Sequence, residues 1–363
     1  MNSTKIKQLS KPGLKLIVLS LLFLGAKSGL SPHAFPEMKF FPEMPLPIHY
    51  TITEEGISLG RQLFYDPILS SDSTLSCSSC HQQKYAFSDA PNKFSKGKNS
   101  VFMTRNTLPL FNLAWYPSFF WDGKATGIEN QVFHPITASD EMNMHTEDLC
   151  SRLNENKYYK SLFQEIFGAG EIDSEKVSIV LSQFLRSLLS NQSKYDRVIA
   201  GKDHFTENEI KGFVLVNDQT KGDCLHCHPT DGDALGTTLT FSNNGLDSVV
   251  DVQFYPDKGR GGISEKKEDI GKFKIPSLRN LLFTAPYMHD GRFKTLEEVL
   301  EFYSSGVKNC VNLDSKMQFA NKHGANLSKE EQQSIIAFLK TLSDSVFISD
   351  KNFSNPFKKL SRN

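Results

Sequence analysis

The pentapeptides Cys77-Ser78-Ser79-Cys80-His81 and Cys224-Leu225-His226-Cys227-His228 share one pattern, Cys-x-x-Cys-His. Each places two thiols and an imidazole on about one turn of backbone. That spacing is typical of c-type haem attachment, in which both cysteines bond to the porphyrin edge and the histidine ligates the iron. One pentapeptide alone could be a redox motif or half of a zinc site. Two of them in a chain with 6 cysteines favour two covalent haem groups.

The overall composition fits a two-domain protein that encloses large apolar cofactors. The chain has 363 residues, enough for two domains with substantial cores. Its 41 basic and 41 acidic residues cancel, so no basic excess exists to neutralise phosphates, and we expect no nucleic-acid partner. The 28 phenylalanines supply apolar bulk of the kind that seals a haem from water.

Residues 1–28 predict a secretory signal peptide. Four lysines precede the short apolar run from Leu16 to Gly25, and small residues follow at Ala26 and Ser28. The alternative is an uncleaved membrane anchor, although the run is short for a membrane span. Because c-type haems are attached outside the cytoplasmic membrane, we expect a periplasmic protein.

Two cysteines remain after the haem pentapeptides are assigned. In an oxidising compartment Cys150 and Cys310 could form a disulfide, or both could stay free. Their positions in the sequence do not distinguish these states.

The periodicity predicts a mainly α fold made of two cytochrome c-like haem domains in tandem with long loops. Residues 29–50 are rich in proline and predict an extended lead-in. Helices are expected from Thr53 and from Ser174 onward, where apolar residues recur at helical spacing. Capping boxes predict three more helix starts, at Thr206/Glu209, Thr295/Glu298 and Ser328/Glu331. Alternating strand patterns are scarce.

An internal repeat supports a duplicated haem module. The first pentapeptide is followed by Arg105-Asn106 and Trp121-Asp122-Gly123, and the second by Arg279-Asn280 and His289-Asp290-Gly291. We therefore predict the following division: a signal peptide at 1–28, a lead-in at 29–50, an N-terminal cytochrome c-like domain at 51–205, a C-terminal cytochrome c-like domain at 206–345 and a polar tail at 346–363.

Nearly the whole mature chain resembles the bacterial di-haem cytochrome c peroxidase/MauG family. The resemblance rests on ordered stretches rather than on the pentapeptides alone. These stretches are residues 59–66, 69–70, 76–81, 105–106, 120–124, 135–142, 273–280 and 284–291.

The resemblance implies roles for residues around the first haem. His81 would be the proximal ligand of a peroxidatic haem, with Glu141 as the distal carboxylate and Gln131 as its neighbouring amide. A carboxylate there can accept a proton from peroxide and return it to the leaving oxygen. Trp121 matches a tryptophan between the haems. Without the resemblance, Glu141 would be interpreted as an exposed loop acid and Trp121 as core packing.

The second haem would be held by His228, and its other axial ligand separates branches of the family. Peroxidases place a methionine there, whereas Tyr303 occupies the matching position in this chain, as in the MauG branch. A buried structural tyrosine is the alternative, with Met317 as the substitute ligand and Met288 as a weaker one. His289 would support this haem by hydrogen bonding.

Two further implications concern the first haem and a cation. Lys98 occupies the place of the displaceable histidine found in many members, so we expect the first haem to be open without reductive activation. Asn106, Thr284 and Pro286 match an inter-haem calcium site, for which ordinary turn chemistry is the alternative.

The resulting hypothesis is a periplasmic di-haem peroxidase that reduces hydrogen peroxide with electrons from a small cytochrome c or cupredoxin. One alternative is a MauG-like oxidase that modifies a partner protein, favoured by Tyr303 and by the missing distal histidine. Another is a non-catalytic di-haem electron-transfer cytochrome. A homodimer is usual in the family.

Overall fold

The computed structural model describes residues 29–230, 234–317, 319 and 324–357. The predicted signal peptide and the end of the predicted tail lie outside the described residues. Within these ranges no helix is long and apolar enough to cross a membrane.

Short helices joined by long loops dominate the fold, as the scarcity of strand patterns predicts. The α-helices α1 to α12 are, in order, Glu54–Tyr65, Cys77–Cys80, Ile128–Gln131, Phe133–Thr137, Thr146–Glu155, Lys157–Phe167, Ser174–Ser187, Lys194–Ile199, Glu207–Asn217, Gly261–Ser264, Leu296–Glu301 and Lys329–Thr341. One π-helical turn, Phe302–Gly306, directly follows α11. The described sheet is one antiparallel pair, β1 (Phe241–Ser242) and β2 (Phe273–Lys274), in which Phe241 pairs with Lys274.

The predicted helix starts are confirmed by their caps. The side chain of Thr53 accepts a hydrogen bond from the backbone of Gly56 at the start of α1. All three predicted capping boxes form, at α9, α11 and α12. In each box the N-cap hydroxyl and the glutamate three residues later satisfy backbone N–H groups that the helix itself leaves unpaired.

Each of the two main apolar clusters is built on a pair of crossing helices. Helices α1 and α7 cross in the first cluster, and α9 and α12 cross in the second. A glycine lies at each crossing. A Cβ at Gly60 would lie 1.9 Å from the Val180 carbonyl oxygen, and a Cβ at Gly212 would lie 1.9 Å from that of Ser334. Only glycine permits backbones to approach this closely.

The repeat is visible in the structure, but one of its pairings differs from the predicted one. Asn112 and Asn280 both adopt a left-handed conformation and each precedes a 3-10 turn. Each lies nine residues before the first position of its x-Asp-Gly turn, Trp121 or His289. The counterpart of Asn280 is therefore Asn112 and not Asn106, because the turn geometry needs an asparagine that tolerates positive φ.

The two ends of the described chain pack onto these clusters. Phe41 of the proline-rich lead-in packs against Trp115, with ring centroids 5.4 Å apart. After α12, Phe347 is buried in the first cluster, and the backbone of Phe353 accepts a hydrogen bond from the Tyr65 hydroxyl. The described part of the segment after residue 345 thus lies against the N-terminal helices, whereas a polar tail was expected. The predicted domain boundaries remain a prediction.

Candidate haem sites

The first pentapeptide lies on a cavity that we call the N-terminal cavity. Helix α2 carries Cys77 and Cys80, and His81 follows at its C-terminal end. The side chains of all three residues line the cavity, together with those of Gln131 and Glu141. The sequence-predicted residues of the first haem site are therefore brought together, across about 60 residues of chain between the pentapeptide and Glu141.

His81 is oriented as a proximal iron ligand requires. Its Nδ1 lies 2.7 Å from the carbonyl oxygen of Phe87. A carbonyl can only accept, so Nδ1 carries the proton and Nε2 is the nitrogen that remains for a metal. Burial lowers the pKa of His81, which keeps the ring neutral, as ligation needs. Sequence reasoning missed Phe87 because its contribution comes from the backbone.

Glu141 has the environment of a carboxyl that can hold a proton. Burial raises its pKa, Lys124 opposes the increase and Asp140 adds to it. The loop that carries Lys98 packs closely against the backbone at Glu141. Lys98 N donates to Glu141 O at 2.9 Å, and a Cβ at Gly97 would lie 1.9 Å from Asp140 O. The Lys98 amine donates to Ser71 Oγ at 2.5 Å, so this lysine binds a hydroxyl.

The second pentapeptide lies on a larger C-terminal cavity. Cys224, Cys227 and His228 line it, and His228 Nδ1 is 3.4 Å from the carbonyl oxygen of Gly236. Burial lowers the pKa of His228 to about 4. Burial also raises the pKa of Cys224 to about 12, so its thiol is neutral. The two cavities thus repeat one arrangement of two thiols and a carbonyl-bound imidazole.

The candidate second ligands of this cavity all lie in its wall. Tyr303, Met317 and Met288 all line the same cavity as the pentapeptide. The hydroxyl of Tyr303 accepts a hydrogen bond from Asn244 Nδ2 at 3.0 Å. Burial raises the pKa of Tyr303, the hydrogen bond from Asn244 offsets part of this increase, and the net pKa is about 12. Asn244 has no periodic or motif signal in the sequence, and only the fold reveals it.

His289 lies at the same wall in a stacked arrangement. Its ring is parallel to that of Phe273, with centroids 3.6 Å apart. Burial lowers its pKa, so the ring is neutral. This packing fixes the plane of the imidazole beside the cavity.

One short segment separates the two cavities. Asn106, Leu108 and Pro109 line the C-terminal cavity, whereas Thr107 and Leu110 line the N-terminal cavity. The indole of Trp121, only 8% exposed, is bound to this wall because its Nε1 donates to Asn106 O at 2.8 Å. Its ring also approaches His289 edge to face, with centroids 6.4 Å apart. Trp121 therefore lies at the boundary between the sites.

The three residues assigned to a cation also gather at this boundary. Asn106, Thr284 and Pro286 all line the C-terminal cavity, and Asn106 N donates to His289 O at 2.7 Å. Asn106 Nδ2 donates to Lys93 O at 3.0 Å, which leaves Oδ1 as the side-chain atom suited to a cation. Among the described residues no cluster of three histidine, cysteine or acidic side chains forms a metal site.

Cys150 and Cys310 are both free thiols in the structure. Cys150 belongs to helix α5 of the N-terminal half. Cys310 lies in a loop of the C-terminal half, with its Sγ 3.7 Å from Asn243 Oδ1. The open question of a disulfide is thereby answered in favour of unpaired cysteines.

Comparisons with known proteins agree with this geometry. The family model of the di-haem cytochrome c peroxidases matches residues 54–204. The methylamine utilization protein MauG of Methylophilus methylotrophus is 32% identical over 332 residues, which cover 90% of this chain and 94% of that protein. The cytochrome c551 peroxidase of Nitrosomonas europaea is 30% identical, covering 78% of each chain.

A solved structure extends the similarity to the fold. The crystal structure of a MauG-like protein associated with microbial copper homeostasis superposes with a TM-score of 0.80 at 30% identity, over 90% of this chain and 100% of that one. The fold and the paired cavities define a di-haem oxidoreductase of the peroxidase type. The chain belongs to the di-haem cytochrome c peroxidase/MauG family, as the sequence predicted. Membership implies two haem groups, and the two cavities with their imidazoles fit them.

Proposed function

We propose that the protein is a periplasmic peroxidase that reduces hydrogen peroxide to water with electrons from a small redox protein. The observation that carries the proposal is that Glu141, Gln131 and His81 line one cavity with a cysteine pair. Each peroxide would consume two electrons and two protons and leave as two water molecules. A haem iron with an open position binds peroxide and supplies electrons for cleavage of its O–O bond.

The residues of the N-terminal cavity would bind the haem, hold the peroxide and transfer its proton. Cys77 and Cys80 would tether the haem covalently, and His81 would orient it through the Phe87 carbonyl. Glu141 would accept a proton from the peroxide oxygen nearer the iron and deliver it to the departing oxygen. Burial raises the pKa of Glu141 above that of an ordinary glutamate, which makes the return of the proton easier than it would be from an exposed carboxyl. Gln131 would hold the peroxide by hydrogen bonding.

The C-terminal cavity would receive electrons and pass them on. Cys224, Cys227 and His228 would hold the second haem, with Tyr303 as a second protein ligand and His289 as a neighbouring support. Trp121 would carry electrons between the two sites, because it is bound to the segment that walls both. A small cytochrome c or cupredoxin would supply the electrons at this end.

A calcium ion would stabilise the boundary between the sites. Asn106 Oδ1 and the carbonyl oxygens of Thr284 and Pro286 are hard oxygen ligands of the kind calcium prefers. Calcium chelation should lower the thermal midpoint of the haem-loaded protein, and added calcium should restore it. An unchanged midpoint, with no calcium in the purified protein by elemental analysis, would remove this part of the proposal.

The function is tested by stopped-flow reaction of the haem-loaded protein with hydrogen peroxide, with and without a reduced small cytochrome c. Rapid peroxide consumption coupled to oxidation of the cytochrome is expected.

The alternative is a MauG-like oxidase that acts on a partner protein, favoured by Tyr303 and the MauG relative. A long-lived oxidised species that ignores the cytochrome would favour that alternative, and no reaction would favour an electron carrier.

A further inference from the structure

Lys274 of strand β2 is a buried lysine to which no role has yet been assigned. It is 5% exposed, although lysine is among the residues least often buried. Its ammonium group donates to the carbonyl oxygen of Ser118. It also lies over two aromatic rings, 5.0 Å from the centroid of Tyr116 and 5.5 Å from that of Phe119. Burial lowers the pKa of Lys274 to about 7, against an opposing effect of Asp122.

The backbone of the same residue binds Trp121. Lys274 N donates to Trp121 O at 2.7 Å. Lys274 therefore holds the segment 118–121 at both ends, with its side chain at Ser118 and its main chain at Trp121. The segment belongs to the N-terminal half of the chain, whereas Lys274 belongs to the C-terminal half and lines its cavity.

Two arginines bind the turn at Asp122 and Gly123, which directly follows Trp121. Arg260 donates to the carbonyl oxygens of Asp122 and Gly123, both at 3.1 Å. Arg105 pairs with the Asp122 carboxylate at 2.6 Å. The charged group that acts on Lys274 is the buried Asp122 carboxylate, and the two guanidinium groups bind the turn that contains this carboxylate. An apolar side chain of similar length would fill this space without the cost of burying an amine, so packing alone does not explain a lysine here.

We propose that Lys274 is a positioning residue that fixes Trp121 between the two haem sites, so that electron passage between the sites depends on it. The proposal rests on the electron-carrying role proposed for Trp121. A small displacement of Trp121 matters because the rate of a reaction between groups held in a fixed geometry falls steeply when one group is displaced.

The test compares the wild type, K274M, W121F and the double variant as haem-loaded proteins at about pH 6, where the amine is charged. A flash-generated flavin donor reduces the oxidised protein, and the rate of electron redistribution between the haems is followed without peroxide. K274M should slow redistribution by about tenfold or more. In the W121F background the same substitution should have no further effect, since Lys274 acts through Trp121.

The matched control is K272M, which removes a lysine of the same segment that pairs with Asp269 and is partly exposed. It should redistribute electrons like the wild type. Should K274M fail to load two haems, K274Q carries the same comparison, because its polar side chain is uncharged and one atom shorter than lysine and so loses the ammonium contact with Ser118 O. Wild-type rates in the Lys274 variant, or an equal slowing with and without Trp121, would overturn the proposal. Since no peroxide is used, failure of the peroxidase function would appear separately, in the stopped-flow reaction.

Discussion

Glu141 is the one carboxyl among the described residues that line the N-terminal cavity. Desolvation of its carboxylate raises the pKa. Glu141 therefore places a carboxyl group with a raised pKa next to the proposed haem. Gln131 on the same cavity can donate or accept a hydrogen bond but cannot move a proton at neutral pH. The acid-base work of the site is therefore assigned to a single side chain.

Replacing Glu141 by glutamine should lower the second-order rate constant for peroxide reaction by about 10²- to 10⁴-fold, the usual contribution of a general acid-base group. The shape of the side chain is kept while the exchangeable proton is lost. Stopped-flow absorbance of the haem-loaded variant measures this rate. E147Q is the matched control, because Glu147 is exposed and does not line the cavity. A variant E141Q that reacts like the wild type would remove Glu141 from the mechanism.

The pH dependence of the same rate constant follows from the direction of the Glu141 shift. The carboxylate must be deprotonated to accept the peroxide proton, so the rate should fall as pH drops through the raised pKa. This fall should begin above the range of an ordinary glutamate, whose pKa is about 4.3. A pH profile of E141Q should be flat across the same interval. An identical decline in both proteins would assign the titration to another group.

These residue roles could be predicted only in part from the sequence. The pentapeptides predict haem attachment from the sequence alone, because two cysteines and a histidine at that spacing have few other functions. Glu141 has no local signal within Ser-Asp-Glu-Met, and its candidacy came from a family resemblance. Backbone partners such as the carbonyl of Phe87 leave no trace in residue type, so only the fold identifies them.

At the scale of elements, the π-helical turn after α11 sets the position of Tyr303. The wider turn continues α11 and places the Tyr303 hydroxyl next to Asn244 at the cavity wall. π-Turns inside helices are frequent at functional sites. Because Asn244 donates to the hydroxyl oxygen, it would stabilise a phenolate bound to a metal.

The substitution Y303F should raise the reduction potential of the haem held by His228, because a hard anionic oxygen ligand favours the ferric state. Spectroelectrochemical titration of the haem-loaded variant measures the shift. M317L is the matched control and should leave the potential within the scatter of the wild type. A shift in M317L with none in Y303F would transfer the ligand role to Met317.

A second element-level device is the ion-pair hub at Arg105, which joins the two halves of the chain. Its guanidinium contacts Asp122 at 2.6 Å and Asp257 at 2.7 Å. Burial opposes ionisation of Asp257, but the hydrogen bond from Arg105 outweighs it and the pKa is lowered. Asp122 is almost fully buried, so it depends on this partner.

The variant R105M should lower the free energy of unfolding by about 2 kcal/mol, because it leaves the buried Asp122 carboxylate without its arginine. Denaturant unfolding of the haem-loaded protein measures the change. K160M removes an exposed pair with Glu171 and should cost less than about 0.5 kcal/mol. Equal losses in the two variants would contradict the role of Arg105 as a hub.

The helix starts are the part of the fold that the sequence predicts best. A capping box is a local device, so Thr206, Thr295 and Ser328 act where the pattern places them. The internal repeat was correct in outline but wrong in one register. Its true counterpart, Asn112, is defined by backbone conformation rather than by the Arg-Asn dipeptide, and a conformational requirement is not visible in a dipeptide match.

At the scale of the molecule, two similar cavities lie on either side of one short wall. Each has two thiols and an imidazole held by a backbone carbonyl. They differ in their other lining residues, because Glu141 and Gln131 line the first cavity and Tyr303 lines the second. The duplication therefore supplies two haem sites, and these different lining residues would give them different chemistry.

The central claim is that the haem bound by His81 is open, whereas the haem bound by His228 has a second protein ligand. Low-temperature electron paramagnetic resonance of the resting ferric protein measures both sites at once. We predict one high-spin signal and one low-spin signal of equal weight, without prior reduction. Two low-spin signals would contradict the account, because neither iron could then bind peroxide.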